Sequence, residues 1–355
     1  MKMLILSSQA RNTGSALRAE YIFKYMKKKN RNTDYIRPPF KSMPFMLDFL
    51  LSMFYYFFRL LNLKYDAVFI VKPYPNTVLP ALLLRAAGAK LIIDIDDLDH
   101  GYRKGLLSGF VSFIQDRMTV CADHITTHNR ALEKRIKKRY PGYKNRLYYL
   151  KQCVDLGIFS PKRKYRKKAA GIRKKFKGKK ILFYTAHMNI AGYMEEIFEA
   201  VKPVKEDFVL IAAGGGPLLK RLVKKSIKAG LAGKVVFTGP LSAEETASYM
   251  QAADICLVYY ADREVNKYRA SMKLREYLAF SKPVAANRVG EIKDFRKFIY
   301  MSPPGVKAFS RLISSVMKKL DKREEKGYKF IKDSYNWEKE IESFKKYIDE
   351  VVLAA

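Results

Sequence analysis

Residues 253–294 read ADICLVYYADREVNKYRASMKLREYLAFSKPVAANRVGEIKD. The run Ile255–Tyr259 is short, apolar and β-prone, which predicts a buried strand. It ends in a polar loop carrying Arg263, Lys267 and Arg269. Ser271 is placed to cap a helix over Ser271–Phe280, because its hydroxyl can accept from an orphan N–H of the first turn. A turn at Ser281-Lys282 leads into a second strand, Pro283–Ala286. Strand, helix, strand in this order predicts a βαβ unit with a parallel sheet. Lys273 falls in the first helical turn, where the positive helix end and an ammonium group together suit a diphosphate. Glu276 follows one turn later on the same face. Its carboxylate either accepts two hydroxyl hydrogen bonds from a ribose or forms an i→i+3 ion pair with Lys273.

The same alternation extends in both directions. Ile181–Tyr184, Phe208–Ala212 and Val235–Phe237 are further strand candidates in the second half. Leu4–Leu6, Ala67–Val71 and Leu91–Ile95 form an earlier series. Two series separated by a polar gap predict two doubly wound α/β domains, as the 355-residue length also suggests. In open sheets of this kind ligands bind beyond the carboxyl ends of the strands. Four loops then become candidates. His187 follows Ile181–Tyr184. Gly214, Gly215 and Gly216, followed by Pro217, form a glycine turn after Phe208–Ala212, ahead of a helical stretch Leu218–Lys228. Such a turn presents backbone N–H groups to a phosphate, or is glycine-rich for conformational reasons alone. Asn12, Thr13 and Gly14 follow the first strand and either line a cleft or, with Thr13 or Ser15 as N-cap, start a helix through Ala19–Met26. In Ile92–His100, IIDIDDLDH, four aspartates (Asp94, Asp96, Asp97 and Asp99) follow a strand. They can serve a base, a cation or a sugar hydroxyl, and one or two can be turn or cap residues.

Composition limits the choices. The chain has 69 Lys+Arg against 34 Asp+Glu, a formal charge of +35, with 48% hydrophobic residues, so it is no disordered basic tail. An anionic partner is implied: nucleic acid, an anionic membrane surface or a phosphorylated substrate. Between Arg130 and Lys180 lie 21 basic residues and two acids, a net +19. Pro161–Lys180 alone has 12 basic residues and no acid, which marks either a domain junction or a solvated helix face. The basic run lacks the interleaved aromatics of a stacking surface, and no nucleic-acid-binding motif is present, so nucleic acid is not expected. Pro44–Leu63, PFMLDFLLSMFYYFFRLLNL, is apolar except for a narrow stripe at Asp48, Ser52, Tyr55, Arg59 and Asn62. It predicts a helix buried in the first domain, or one whose apolar face lies in a membrane interface with Lys41 and Lys64 on headgroups. Asp48 and Arg59 argue against a membrane span. Cys121, Cys153 and Cys256 are far apart and odd in number, which argues against a disulfide framework and for a reducing compartment. The N-terminal apolar run is too short for a signal peptide. His124 and His128, four apart around a β-prone Ile125-Thr126-Thr127, lack the partners of a metal site, so no metal is expected.

The stretch Asp254-Ile255, Ser271-x-Lys273-x-x-Glu276-Tyr277-x-Ala279-x-x-Lys282-Pro283-Val284 resembles the signature of the group 1 glycosyltransferases, a large retaining family with the GT-B fold. In the same order, Gly214–Pro217 resembles the G-x-G-P turn and Lys234–Gly239, KVVFTG, the V-x-F-x-G strand. Cys153-Val154-Asp155 through Phe159-Pro161 resembles the N-G-V-D…F-x-P passage, and Asn336-Trp337-Glu338 the W-E near the C-terminus. The resemblance covers roughly 150–345 well and the first 150 residues loosely. It implies two Rossmann-like domains facing across a cleft: an acceptor domain over 1–156, a basic linker at 157–178, a nucleotide-sugar domain over 179–330, and a helix at 331–355 crossing back to the first. Glu276 matches the second glutamate of the family's E-x₇-E; the first falls at Tyr268, a departure. The usual Arg and Lys after the first strand of the second domain are replaced by His187-Met188-Asn189.

The resulting expectation is a hexosyltransferase using a UDP- or GDP-sugar as co-substrate and no cofactor. His187, Gly214, Gly215, Gly216, Lys267, Arg269, Ser271, Lys273 and Glu276 would hold the donor. Asp96, Asp97 and His100, with Lys273 and Glu276, would be catalytic, and Asn12, Thr13 and Gly14 would meet the acceptor. The acceptor would be an anionic lipid-linked or envelope glycan, with the protein peripheral on the cytoplasmic face of the membrane. A nucleic-acid-binding α/β protein and a GT-B protein without transfer activity are the alternatives.

Overall fold

A computed structural model describes residues 1–9, 13–39, 45–102, 105–320 and 324–354. The chain forms two compact units. The first holds Met1–Gln152, Tyr268–Ala270 and Trp337–Ala355; the second holds Cys153–Lys267 and Ser271–Asn336.

In the first unit the elements run β1 (Met3–Ser7), α1 (Gly14–Lys29), β2 (Thr33–Ile36), α2 (Phe45–Leu60), β3 (Ala67–Val71), α3 (Pro75–Ala86), β4 (Lys90–Ile95), α4 (Gly105–Thr119), β5 (His124–Thr127), α5 (Arg130–Arg139) and β6 (Leu147–Tyr149). The sheet is parallel, in the order β2-β1-β3-β4-β5-β6. Central parallel strands are covered on both faces, so they are continuous apolar runs rather than alternating ones. Every residue of β1 and β3 is accordingly buried. His124 is buried on β5, with Nδ1 2.7 Å from the Tyr347 hydroxyl.

The second unit runs α6 (Arg163–Lys175), β7 (Lys180–Thr185), α7 (Met194–Val201), β8 (Phe208–Ala213), α8 (Leu219–Lys228), β9 (Val235–Gly239), α9 (Ala243–Ala252), β10 (Ile255–Val258), α10 (Met272–Ala279), β11 (Val284–Asn287), β12 (Tyr300–Ser302), α11 (Val306–Lys318) and α12 (Glu324–Ser334). Its parallel sheet has the order β12-β11-β10-β7-β8-β9. The chain then re-enters the first unit as α13 (Trp337–Tyr347). Trp337 is fully buried there, stacked 6.2 Å from Tyr21 and 6.4 Å from Tyr25 of α1.

Three strands, β2, β6 and β12, escape the reading of apolar runs. All are sheet edges of three or four residues, and an edge needs no continuous apolar run. The basic stretch expected as a linker at 157–178 is instead largely helical. α6 belongs to the second unit and packs on α9, with Tyr165 and Ala169 buried one turn apart. Lys164, Lys168 and Arg173 reach Glu244, Glu245 and Asp254, so part of the run is balanced locally.

The helix expected within Pro44–Leu63 forms as α2, and Pro44 lies outside the described residues. Its orientation is partly inverted. Ser52, Tyr56 and Leu60 are buried, and the Tyr56 hydroxyl donates to the Ser7 carbonyl at 2.6 Å. Leu47, Leu50, Phe54, Phe57, Phe58 and Leu61 are exposed. α4 repeats this, with Leu106, Phe110 and Phe113 exposed, and α3 packs against both helices. Among the described residues, no helix is long and apolar enough to cross a membrane.

Candidate active site

In the second unit, the loops after β7, β8 and β10 converge. Met188 N–H donates to the Gly215 carbonyl at 2.9 Å, and Leu218 N–H to the Met188 carbonyl at 2.9 Å. This contact explains the glycines. A Cβ on Gly214 would lie 1.9 Å from the Ala186 carbonyl oxygen, and one on Gly216 2.6 Å from that of Met188. Gly214 also has φ +135°, outside the range of most side chains. The turn therefore serves first to press two loops together. His187 is exposed on the rim of this contact.

Ser271 caps α10 as the sequence predicts, its hydroxyl accepting from Leu274 N–H at 3.4 Å. Lys273 lies in the first turn, its ammonium 4.1 Å from the centre of the Tyr184 ring at the end of β7 and 6.0 Å from that of Tyr260 beyond β10. The helix start and its lysine are thus carried to the carboxyl ends of the strands. Burial pushes the Glu276 carboxyl up to about 7, against the smaller opposing pull of Lys273. Lys267 is more peripheral, exposed and paired with Glu264 at 2.7 Å. Arg269 falls with the first unit, where its carbonyl accepts from Asn129 Nδ2 at 3.1 Å.

A pair that sequence reasoning missed fixes the helix start. Arg275 is fully buried and reaches both Glu291 carboxylate oxygens at 2.7 Å. It also donates to the Ser271 carbonyl at 3.0 Å, while Ser271 N–H donates to Glu291. A bidentate arginine–carboxylate pair has a fixed geometry, so it sets where α10 begins.

In the first unit, Thr13 is the N-cap of α1, accepting from Ala16 N–H at 3.1 Å, and Gly14 opens the helix. Asn12 lies outside the described residues. The aspartate cluster divides. Asp94 is buried and bonded bidentately to buried Arg18, a core pair. Asp96 and Asp99 face Lys72, which the sequence reading passed over. Lys72 follows β3 with φ +73°, a left-handed conformation that costs a non-glycine residue about 1–3 kcal/mol. Its buried ammonium lies 2.5 Å from Asp99 and 3.7 Å from Asp96. Burial works against its charge, but Asp96 and Asp99 outweigh that and hold it protonated beyond its ordinary range. Burial pushes the Asp96 carboxyl up to about 6, against the pull of Lys72. The available signal was position: a lysine directly after an apolar strand, where the loops after β1 and β4 were already suspected. Asp97, which adds a smaller electrostatic pull on Lys72, and His100 line a cavity of about 180 Å³ within the first unit.

Residues 179–319 match the family described as "Glycosyl transferases group 1". No curated protein matches the sequence. Among solved structures, sucrose-phosphate synthase from Thermosynechococcus elongatus has a TM-score of 0.81 at 13% identity, covering 100% of both chains. Anabaena HepE in complex with UDP-glucose has a TM-score of 0.78 at 11% identity, over 99% of this chain and 100% of that one. The lipopolysaccharide outer core galactosyltransferase WaaB has a TM-score of 0.62 at 14% identity, over 98% and 99%. At such identities the likeness establishes fold. Residues 179–319 are thus similar to the group 1 glycosyl transferases, and the whole chain has the two-domain GT-B fold.

Proposed function

We propose that the protein is a retaining glycosyltransferase moving a sugar from a nucleotide diphosphate sugar to a lipid-linked or cell-envelope glycan at the cytoplasmic face of the membrane. The observation that carries this is the start of α10. Ser271, Lys273 and Glu276 stand together there at the strand ends, inside the matched segment 179–319. Departure of a nucleoside diphosphate builds negative charge while the sugar becomes oxocarbenium-like. A fixed ammonium and a helix N-terminus stabilise that charge without reorganising. Glu276 accepts hydrogen bonds from the ribose, and Gly214–Gly216 let a diphosphate approach the backbone. UDP is the first nucleotide to test, since HepE was solved with UDP-glucose and TarM of S. aureus with UDP.

The membrane part of the reading rests on α2 and α4. Their outward residues form an apolar surface of several aromatic side chains, in a chain of charge +35. Arg59 and Lys64 border α2, and an amphipathic helix rimmed by basic residues binds anionic lipid surfaces.

Thermal-shift measurements against UDP-, GDP- and ADP-sugars test the donor. A true donor raises the melting temperature, by about 2.7 kcal/mol of stabilisation at a hundredfold excess over Kd. No shift with any of them would remove the donor reading. Flotation with vesicles of phosphatidylglycerol and phosphatidylethanolamine tests the membrane part. Recovery of Phe54→Asp/Phe58→Asp protein equal to wild type would overturn it. A second reading is favoured by Tyr268 standing where the family has its first glutamate: a donor-binding protein without transfer activity. Donor hydrolysis by wild type, lost in Glu276→Ala, separates the two.

A further inference from the structure

The cavity lined by Asp97 and His100 has no part in the donor site proposed for the second unit. It lies in the first unit between α4, α5 and the loop after β4, with a volume of about 180 Å³. That is below the roughly 300–1,000 Å³ of pockets for drug-sized ligands, so it has room for one small ring. Its floor is apolar, made by Leu98, Leu132 and Ile136. Its polar wall combines Asp97, His100, Gln115 and Arg135.

This wall is built rather than incidental. Gln115 is buried, and its amide donates to Asp99 Oδ2 at 3.0 Å. Asp99 is held in turn by Lys72 at 2.5 Å. The strained, buried lysine behind β3 therefore fixes a side chain that faces the cavity. Asp116, also on the wall, is bonded by Arg139 and Tyr140. Burial raises its carboxyl, but those hydrogen bonds outweigh this and leave it below the usual carboxylate range. Its charge is already matched by Arg139 and does not call for a cationic ligand. Asp97 and Arg135 add one charge of each sign. The wall thus offers both acceptors and donors, with no formal excess of charge from these four side chains.

We propose that this cavity binds one neutral, polyhydroxylated six-membered ring, a hexose unit of the acceptor glycan. The apolar floor takes the C–H face of the ring, and Asp97, Gln115 and Arg135 exchange hydrogen bonds with its hydroxyls. Lys72 is a positioning residue acting through Asp99 and Gln115. The inference rests on the glycosyltransferase reading only for the word acceptor; the binding itself stands apart from it.

Saturation-transfer NMR on the full-length protein tests it, with the methyl glycosides of glucose, galactose, mannose and N-acetylglucosamine as probes and glucose 1-phosphate as the anionic control. At least one neutral glycoside is expected to show transfer. That signal falls about tenfold or more in affinity in Arg135→Ala, which loses a charged hydrogen bond. It disappears in Ser112→Phe, which fills the cavity from α4. Lys72→Met weakens it and Lys72→Arg partly restores it. No transfer from any glycoside, preference for glucose 1-phosphate, or transfer unchanged in both Arg135→Ala and Ser112→Phe each overturns the proposal. A UDP-glucose thermal shift is recorded on the same samples. If it persists while the glycosides fail, the cavity reading falls and the donor reading survives.

Discussion

Among the described residues, each unit contains one fully buried arginine gripping a carboxylate with two hydrogen bonds, and the two pairs join different elements. In the first unit, Arg18 of α1 bonds Asp94 at 2.7 and 3.0 Å and also donates to the Leu150 carbonyl at 2.9 Å. Thr126 of β5 adds a bond to Asp94 at 2.6 Å. That pair therefore ties a helix, two strands and the segment after β6 into one core. In the second unit, Arg275 and Glu291 close on the first residue before α10. Their guanidinium is sandwiched by aromatic rings, 5.2 Å from Phe295 and 4.6 Å from Tyr335. The same chemistry holds a fold together in one place and fixes the start of a helix in the other. What a buried ion pair contributes depends on which elements it joins, more than on its own geometry.

The contrast can be broken in several ways. The largest effect is expected from Arg18→Met. It leaves Asp94 buried without its partner and should lower unfolding stability by about 3–5 kcal/mol, measured by urea denaturation. The double variant Arg18→Met/Asp94→Leu should recover much of this, because an apolar pair of similar volume replaces a buried ion pair at little cost. Failure of the double variant to recover would mean that the bonds to Leu150 and Thr126, rather than the charges, dominate. Below its melting temperature, Arg18→Met should still bind UDP-glucose.

Arg275→Met should behave oppositely. Its unfolding is expected to be less affected than that of Arg18→Met, since Glu291 retains some solvent. Its affinity for UDP-glucose should fall about tenfold or more, near 1.4 kcal/mol, as the start of α10 shifts. Calorimetric titration checks this; equal binding by Arg275→Met and wild type would remove the aiming role. Gly214→Ala probes the neighbouring loop contact. The positive φ alone should cost about 1–3 kcal/mol, with the clash against Ala186 in addition.

The smallest and most diagnostic effect concerns pH. The folded-state pKa of Glu276 is raised from an ordinary 4.5 to about 7. Between those values the folded protein holds the proton more tightly than the unfolded chain, so stability falls as pH rises through that window. In the proposed donor site, ribose binding uses the ionised carboxylate, so donor affinity should rise over the same interval. Glu276→Gln should flatten both profiles. A wild-type affinity that is level through pH 7 would show that the carboxylate is not a donor contact.

Much of this was legible in the chain itself, for reasons particular residues make plain. The buried strands β3, β8 and β10 are continuous apolar runs, and β1 and β4 nearly so, because parallel strands are covered on both faces. Ser271 and Thr13 cap helices because few other residues can. The edges β2, β6 and β12 left no such trace. Lys72 and Arg275 were equally silent, since a cation in a sequence looks solvated until its carboxylate is found far along the chain. Arg18 and Asp94 are 76 residues apart, and Lys72 and Asp99 are 27.

The sequence by itself determined the class of the molecule: two parallel α/β sheets, a helix start carrying Ser271, Lys273 and Glu276, and glycines where backbones touch. These follow from local rules of period, capping and steric access. Only tertiary structure decided which charges are matched and which faces stay open. It paired part of the basic run on α6 with acids on α9, put Lys72 beneath the aspartates, and turned the aromatic face of α2 outward. The physical reason is that burial and charge pairing are set by distance in space, and residues far apart in sequence supply the partners.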